Sequence, residues 1–123
     1  MHATRARPRY GVDGFPYAAA LGVADHVRVH RTDVRATGLP DACADVVLSS
    51  LCLHNLADAG ARADALDEVV RILRPGGTVV VSDLAHVRAE YAPYLERRGL
   101  AVRTDRVRGT FPPQRLLVAH RPG

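Results

Sequence analysis

The residues best placed for chemistry in this chain are polar side chains that directly follow apolar runs. Asp33 closes the run VRVHRTD, Ser49 and Ser50 close ADVVLSS, and Asp83 closes TVVVSD. A carboxylate or hydroxyl at such a point can meet a ligand lying across strand ends. Each also has a local alternative. Asp33 could be a solvated strand-end acid, the serines could bond nearby backbone, and Asp83 could cap a following helix. No G-x-S-x-G surrounds Ser49 or Ser50, so neither reads as a hydrolase nucleophile. His54 could orient a substrate or exchange a proton near neutral pH, although a lone histidine at a helix start is more often structural. Asp13 offers a carboxylate suited to two vicinal hydroxyls, or to a turn before Gly14.

Other combinations point away from chemistry. Cys43 and Cys52 stand nine apart with no histidine in ligand spacing, so no metal site is expected. Pro75-Gly76-Gly77 has no lysine and follows a helical pattern rather than opening one, so it is a turn and not a phosphate loop. Tyr91 and Tyr94 read as core or surface positions of a late helix.

These residues need elements to hold them. Val27 to Asp33 alternates apolar and polar and predicts a strand. Ala44 to Ser50 is a compact apolar run, the pattern of a strand covered on both faces. Asp58 is a helix N-cap, and Leu66, Val69, Val70 and Leu73 form one apolar stripe behind it. Asp67 and Arg71 stand four apart on the polar side and can pair weakly. Pro75 and Gly76 stop that helix, and Thr78 to Val81 is a second buried strand. A helix over 86–98 follows, with Pro93 tolerable only in a first turn or at a kink. Ala101 to Val107 and Arg115 to Ala119 predict two more strands, close enough in sequence to pair antiparallel. Near the N-terminus, Tyr10 to Asp13 reads as a weak strand end and Tyr17 to Leu21 as a helix fragment closed by Gly22. Residues 1–9 read as a loose tail. Strand, helix, strand, helix, strand is the pattern of a layered α/β sheet.

The 123 residues suffice for one domain with one core. Composition is that of a globular chain, which disfavours disorder. No apolar run approaches the ~20 residues of a membrane span, and no secretory signal follows the early arginines. Two cysteines are too few for a disulfide framework, so a cytoplasmic, reduced setting is the expectation. All 17 basic residues are arginine. That matches a coding bias towards G and C more than a selected surface. The net charge of +4 is dispersed among aspartates and glutamates, so nucleic acid is an unlikely partner.

In one stretch the spacing becomes specific. TDVRATGLPDACADVVLSSLCLHNL followed by ALDEVVRILRPGGTVVVSD resembles the second half of a class I S-adenosylmethionine-dependent methyltransferase, of the methyltransferase type 11 kind. The linked features are Asp33, Leu39-Pro40, Asp45-Val46-Val47, Leu53-His54-Asn55, the helix Leu66 to Leu73, and Pro75-Gly76-Gly77. The tail FPPQRLLVAHRP resembles the family's closing antiparallel strand, so the likeness covers about residues 22–121. It implies a Rossmann-like three-layer α/β sandwich, with a mostly parallel sheet and an antiparallel C-terminal strand. The family's first strand and its Gly-x-Gly loop have no counterpart here. The expected division is therefore a divergent or loose segment over 1–21 and the C-terminal part of a methyltransferase domain over 22–123.

The resemblance further implies S-adenosylmethionine as cofactor, with Asp33 on the adenine amino group and Val34 flanking the ring. Ser49 and Ser50 would line the cleft, and Asp13 would hold the ribose hydroxyls. Methyl transfer is an in-line displacement in which the protein mainly positions the acceptor, and a base is needed only if the acceptor must lose a proton. His54 is the candidate base. Short loops favour a small-molecule acceptor. Without its first strand the sheet would expose an edge, which a homodimer or a partner chain could complete. The alternative is a non-catalytic remnant acting through protein contacts.

Overall fold

The computed structural model describes residues 1–4, 22 and 24–123. Five strands form one sheet: β1 (His2–Thr4), β2 (Ala44–Ser50), β3 (Leu73–Asp83), β4 (Ala101–Val107) and β5 (Gln114–His120), in the order β1-β2-β3-β5-β4. Two helices, α1 (Ala59–Ile72) and α2 (Ala92–Arg97), lie in the crossovers from β2 to β3 and from β3 towards β4.

The β2–β3 pair is parallel, with Ser49 opposite Val81 and Ser50 opposite Ser82. A parallel pair needs a crossover, and α1 supplies it. β5 runs antiparallel between β3 and β4. β2, β3 and β4 thus share one direction, and the C-terminal strand opposes them as expected. The sheet is mixed because β1 also runs against β2, pairing His2 with Leu48 and Thr4 with Val46. Residues 2–4, expected in a loose tail, thereby occupy the edge of β2 that was expected to stand open.

α1 forms where the sequence says it should. The Asp58 carboxylate accepts from the Ala61 amide at 2.8 Å, satisfying one of the free donors of the first turn. Ala65, Leu66, Val69 and Ile72 are buried against Val47, Leu73, Val79 and Val81 of the sheet. Each large member of that stripe contributes about 1.5–3 kcal/mol by leaving water. Leu73 is not the end of the helix but the first residue of β3. Pro75-Gly76-Gly77, expected as a turn, lies inside β3, and Gly77 permits the close approach there: a Cβ would stand 2.6 Å from Leu73 Cδ1 and 2.9 Å from the Arg74 carbonyl oxygen.

The segment expected as one helix over 86–98 is divided. Val87–Tyr91 is a π turn, and Pro93 falls in the first turn of α2, where its missing N–H costs nothing. Gly99, at φ +87°, ends it. Both helices cover the same sheet face, which buries Val47, Val79, Val81, Leu117 and Ala119. The described residues therefore build two of the three expected layers.

Two local expectations are corrected. Val27 to Asp33 is not a strand: Asp33 forms an isolated bridge to Ala36, and His30 Nε2 bonds the Thr37 carbonyl at 2.7 Å. These contacts turn the chain back on itself, and no neighbouring strand among the described residues offers a ladder. Arg71 does not pair with Asp67. It reaches Glu68 and Asp41 instead, while Asp67 accepts from Tyr94 and Arg98. The 10–13 strand end and the 17–21 helix fragment lie outside the described residues.

Candidate functional site

β2 and β3 end side by side, and the polar groups that follow them converge. Asp83, the last residue of β3, is fully buried. A buried carboxylate needs several donors to offset its lost hydration. It finds three. The His54 backbone amide donates at 3.0 Å, the Leu84 amide donates at 2.8 Å, and the His54 ring meets it through Nδ1 at 2.5 Å. Asp83 is thus not a helix cap, since the turn after it begins at Val87.

His54 comes to this place through a bend at the end of β2. Leu51 adopts φ +52°, a left-handed conformation rare for a branched residue, and its amide donates to the Ser82 carbonyl. The short 3-10 turn Leu53–Asn55 then buries Leu53 in the core and leaves the His54 side chain about one quarter exposed. With the Asp83 carboxylate on Nδ1, that nitrogen carries the proton and Nε2 keeps its lone pair.

Two buried hydroxyls complete the setting. Tyr91 Oη and Ser49 Oγ have no hydrogen-bond partner among the described residues. Burial, with the nearby negative charges of Asp83 and Glu90, pushes the Tyr91 hydroxyl well above its ordinary value. It therefore stays protonated and can only donate or accept a hydrogen bond. On the rim, Glu90 pairs with Arg62 at 3.0 Å and with His86 at 3.2 Å.

The other sequence-derived candidates do not gather here. Asp33 lies on the surface, and both its oxygens engage Arg35. That pairing holds its carboxyl at about 2. Asp33 lines an open cavity of about 450 Å³ along the outer side of α1, with Asp64, Glu68 and Arg71, and Ser49 is not part of it. Val34 is half-buried against the core, and Ser50 is exposed on the opposite sheet face from Ser49. Asp13 lies outside the described residues. Cys43 and Cys52 are free and half-buried, and no metal-binding cluster occurs among the described residues. Tyr91 is a core position, as its place in the late helical segment implies, and Asp83 accepts from the His54 and Leu84 amides rather than capping a helix. The polar ending of TVVVSD was the one signal for Asp83.

These positions bear on the implied cofactor. S-adenosylmethionine presents an adenine amino group, a ribose diol and a charged amino acid. Asp33 is already satisfied by Arg35, and no described glycine-rich backbone stands beside Ser49. The described residues do not fit the whole molecule.

Comparison with known proteins agrees with this architecture. A family model described as "Methyltransferase domain" matches residues 3–81. Among solved structures, the N-methyltransferase NodS from Bradyrhizobium japonicum WM9, in complex with S-adenosyl-L-homocysteine, superposes with a TM-score of 0.67 at 20% identity, over 91% of this chain and 65% of its own. A SAM-dependent methyltransferase from Aquifex aeolicus gives 0.65 at 19% identity, over 85% and 60%. A chain of the Haloferax volcanii complex that holds the Trm112 methyltransferase activator gives 0.68 at 21%, over 94% and 73%. The chain spans about 65% of the length of NodS and 60% of the Aquifex enzyme. At these identities the superpositions speak for the fold, and the family model covers well over half the chain. With the parallel β2–β3 crossover and the reversed β5, this chain belongs to the methyltransferase domain family.

Proposed function

We propose that this chain supplies the acceptor side of an S-adenosylmethionine-dependent methyltransferase, with His54 taking the proton from a small-molecule acceptor. The observation that supports this most is the fully buried Asp83 gripping His54 through both its amide and its ring. A carboxylate with no water around it is costly, and a purely structural turn does not need one. Placed at Nδ1, it fixes which ring nitrogen is free and offsets the charge that arrives with the proton. Ser49 near the end of β2 and Tyr91 in the π turn offer hydroxyls without partners among the described residues, suited to orienting the acceptor.

The donor side is not built from the described residues. We infer that the 123-residue chain alone holds S-adenosylmethionine weakly. Each missing or mismatched polar contact costs about 1–3 kcal/mol, so two or three turn micromolar affinity into millimolar. Isothermal titration with S-adenosylmethionine tests this. A dissociation constant near millimolar or weaker is expected. A low micromolar value overturns the inference and makes an enzyme complete in this chain the better reading.

A second reading is a non-catalytic methyltransferase remnant, and the Asp33–Arg35 pair favours it, because an adenine amino group would have to compete with Arg35 for that carboxylate. The two part on His54. In the remnant, His54→Gln changes stability only. In the acceptor-side reading, methyl transfer is lost once the donor side is supplied by a partner chain or a longer form of the protein. A cytoplasmic setting suits the two free thiols.

A further inference from the structure

Five of the described arginines are answered by carboxylates. Arg35 meets Asp33, Arg62 meets Glu90, Arg71 meets Glu68, Arg74 meets Asp45 and Arg98 meets Asp67. Around one cavity four arginines gather without a carboxylate partner among the described residues. Arg88 from the π turn, Arg106 and Arg108 from the end of β4, and Arg115 from the start of β5 line an opening of about 580 Å³ with Thr104 and Asp105. None of these four arginines makes an ion pair among the described residues. Asp105, the one carboxylate in the lining, accepts from the Arg106 amide at 2.7 Å.

The register makes the arrangement costlier still. Arg106 and Arg115 are direct cross-strand partners in the β4–β5 pair. Like charges placed opposite each other on one sheet face repel. The lining holds a formal excess of three positive charges. Guanidinium forks match the oxygens of phosphate two at a time, and several forks around one cavity suit a dianion better than a single carboxylate. The volume lies within the ~300–1,000 Å³ usual for small-molecule sites.

We propose that this cavity binds a small phosphate-bearing anion. Arg115 is also the register neighbour of Asp83 across β3 and β5, so the cavity adjoins the His54 site. The anion is then the charged handle of the methyl acceptor. That last step rests on the acceptor-side reading above, whereas anion binding itself does not.

The test is calorimetric titration of the whole chain with inorganic pyrophosphate and with inorganic phosphate, on wild type, Arg106→Gln and Arg115→Gln. Saturable pyrophosphate binding tighter than about 1 mM, and tighter than phosphate, is expected. Either substitution should weaken it about tenfold or more. Without ligand, both variants should melt at or above the wild-type temperature, because the like-charge pair is relieved. That result separates lost binding from lost folding. Absence of saturable binding to wild type, or unchanged affinity in both variants, overturns the proposal. A short single-stranded RNA that outcompetes pyrophosphate, and loses affinity on changing the fully exposed Phe111 to Ala, also overturns it in favour of a nucleic-acid surface. His54→Gln should leave pyrophosphate binding unchanged, so failure of the acceptor reading is distinguishable from failure of this one.

Discussion

The Asp83 carboxylate holds His54 at two points, the backbone amide at 3.0 Å and the ring Nδ1 at 2.5 Å, across 29 residues of sequence. The contact ties the turn after β2 to the end of β3. It should therefore matter to folding as well as to chemistry. Asp83→Asn places an amide where at least one donor now finds an acceptor. A loss of about 1–3 kcal/mol is expected in urea unfolding. An unchanged midpoint would mean that the contact is dispensable.

Tyr91 and Ser49 should behave in the opposite way. Their hydroxyls are buried and have no partner among the described residues, so each costs folding free energy. Tyr91→Phe and Ser49→Ala should be neutral or stabilising, by up to about 1 kcal/mol, in thermal unfolding. A loss beyond that would show that the hydroxyl has a partner in the folded chain.

Glu68 sets an acid limit on stability. Its carboxyl is held at about 2, first by hydrogen bonds from Arg71 and then by those from Thr37, against the opposing effect of burial. A lowered folded value means that stability is present above the ordinary glutamate value near 4.5 and is lost as pH falls towards 2. Arg71 is partly exposed, which weakens the pair. Glu68→Gln should cost about 1–3 kcal/mol at neutral pH and flatten the decline below pH 4.5. Equal pH profiles for the two proteins would contradict the assignment.

Gly77→Ala should destabilise by about 1–3 kcal/mol, because its Cβ would meet both the Leu73 side chain and the rigid Arg74 carbonyl. Gly76→Ala acts differently. Space around it is open, and only its φ of +80° resists a side chain. Denaturant midpoints for the two variants should fall in that order.

The elements best read from sequence were those whose pattern and partners are local. Leu66 and Val69 of the expected stripe, the Asp58 cap, Gly99 and the β4–β5 pair follow from short-range rules and are kept, whereas Val70 is half-buried and Leu73 passes to β3, with Ala65 and Ile72 completing the buried side of α1. Val27 to Asp33 alternates like a strand, yet alternation says nothing about whether a neighbouring strand exists. Its polar groups found Ala36 and Thr37 instead. The site was harder still. Asp83 and His54 are far apart in the chain, and a capping role for Asp83 was equally consistent with its position after β3. Asp33 matched a family pattern in sequence, but Arg35 two residues on determines what its carboxylate can do. Tyr91 gave no signal, since a buried hydroxyl without a partner is visible only in three dimensions.

The protonation pattern of the His54 ring is the most direct test of the Asp83 contact. Long-range proton–nitrogen correlation spectra of the imidazole, recorded where the ring is neutral, report it without any substrate or cofactor. The account predicts the proton on Nδ1 and a bare Nε2 in wild type, with that preference weakened in Asp83→Asn. A proton resting on Nε2, or a pattern identical in the two proteins, would contradict it.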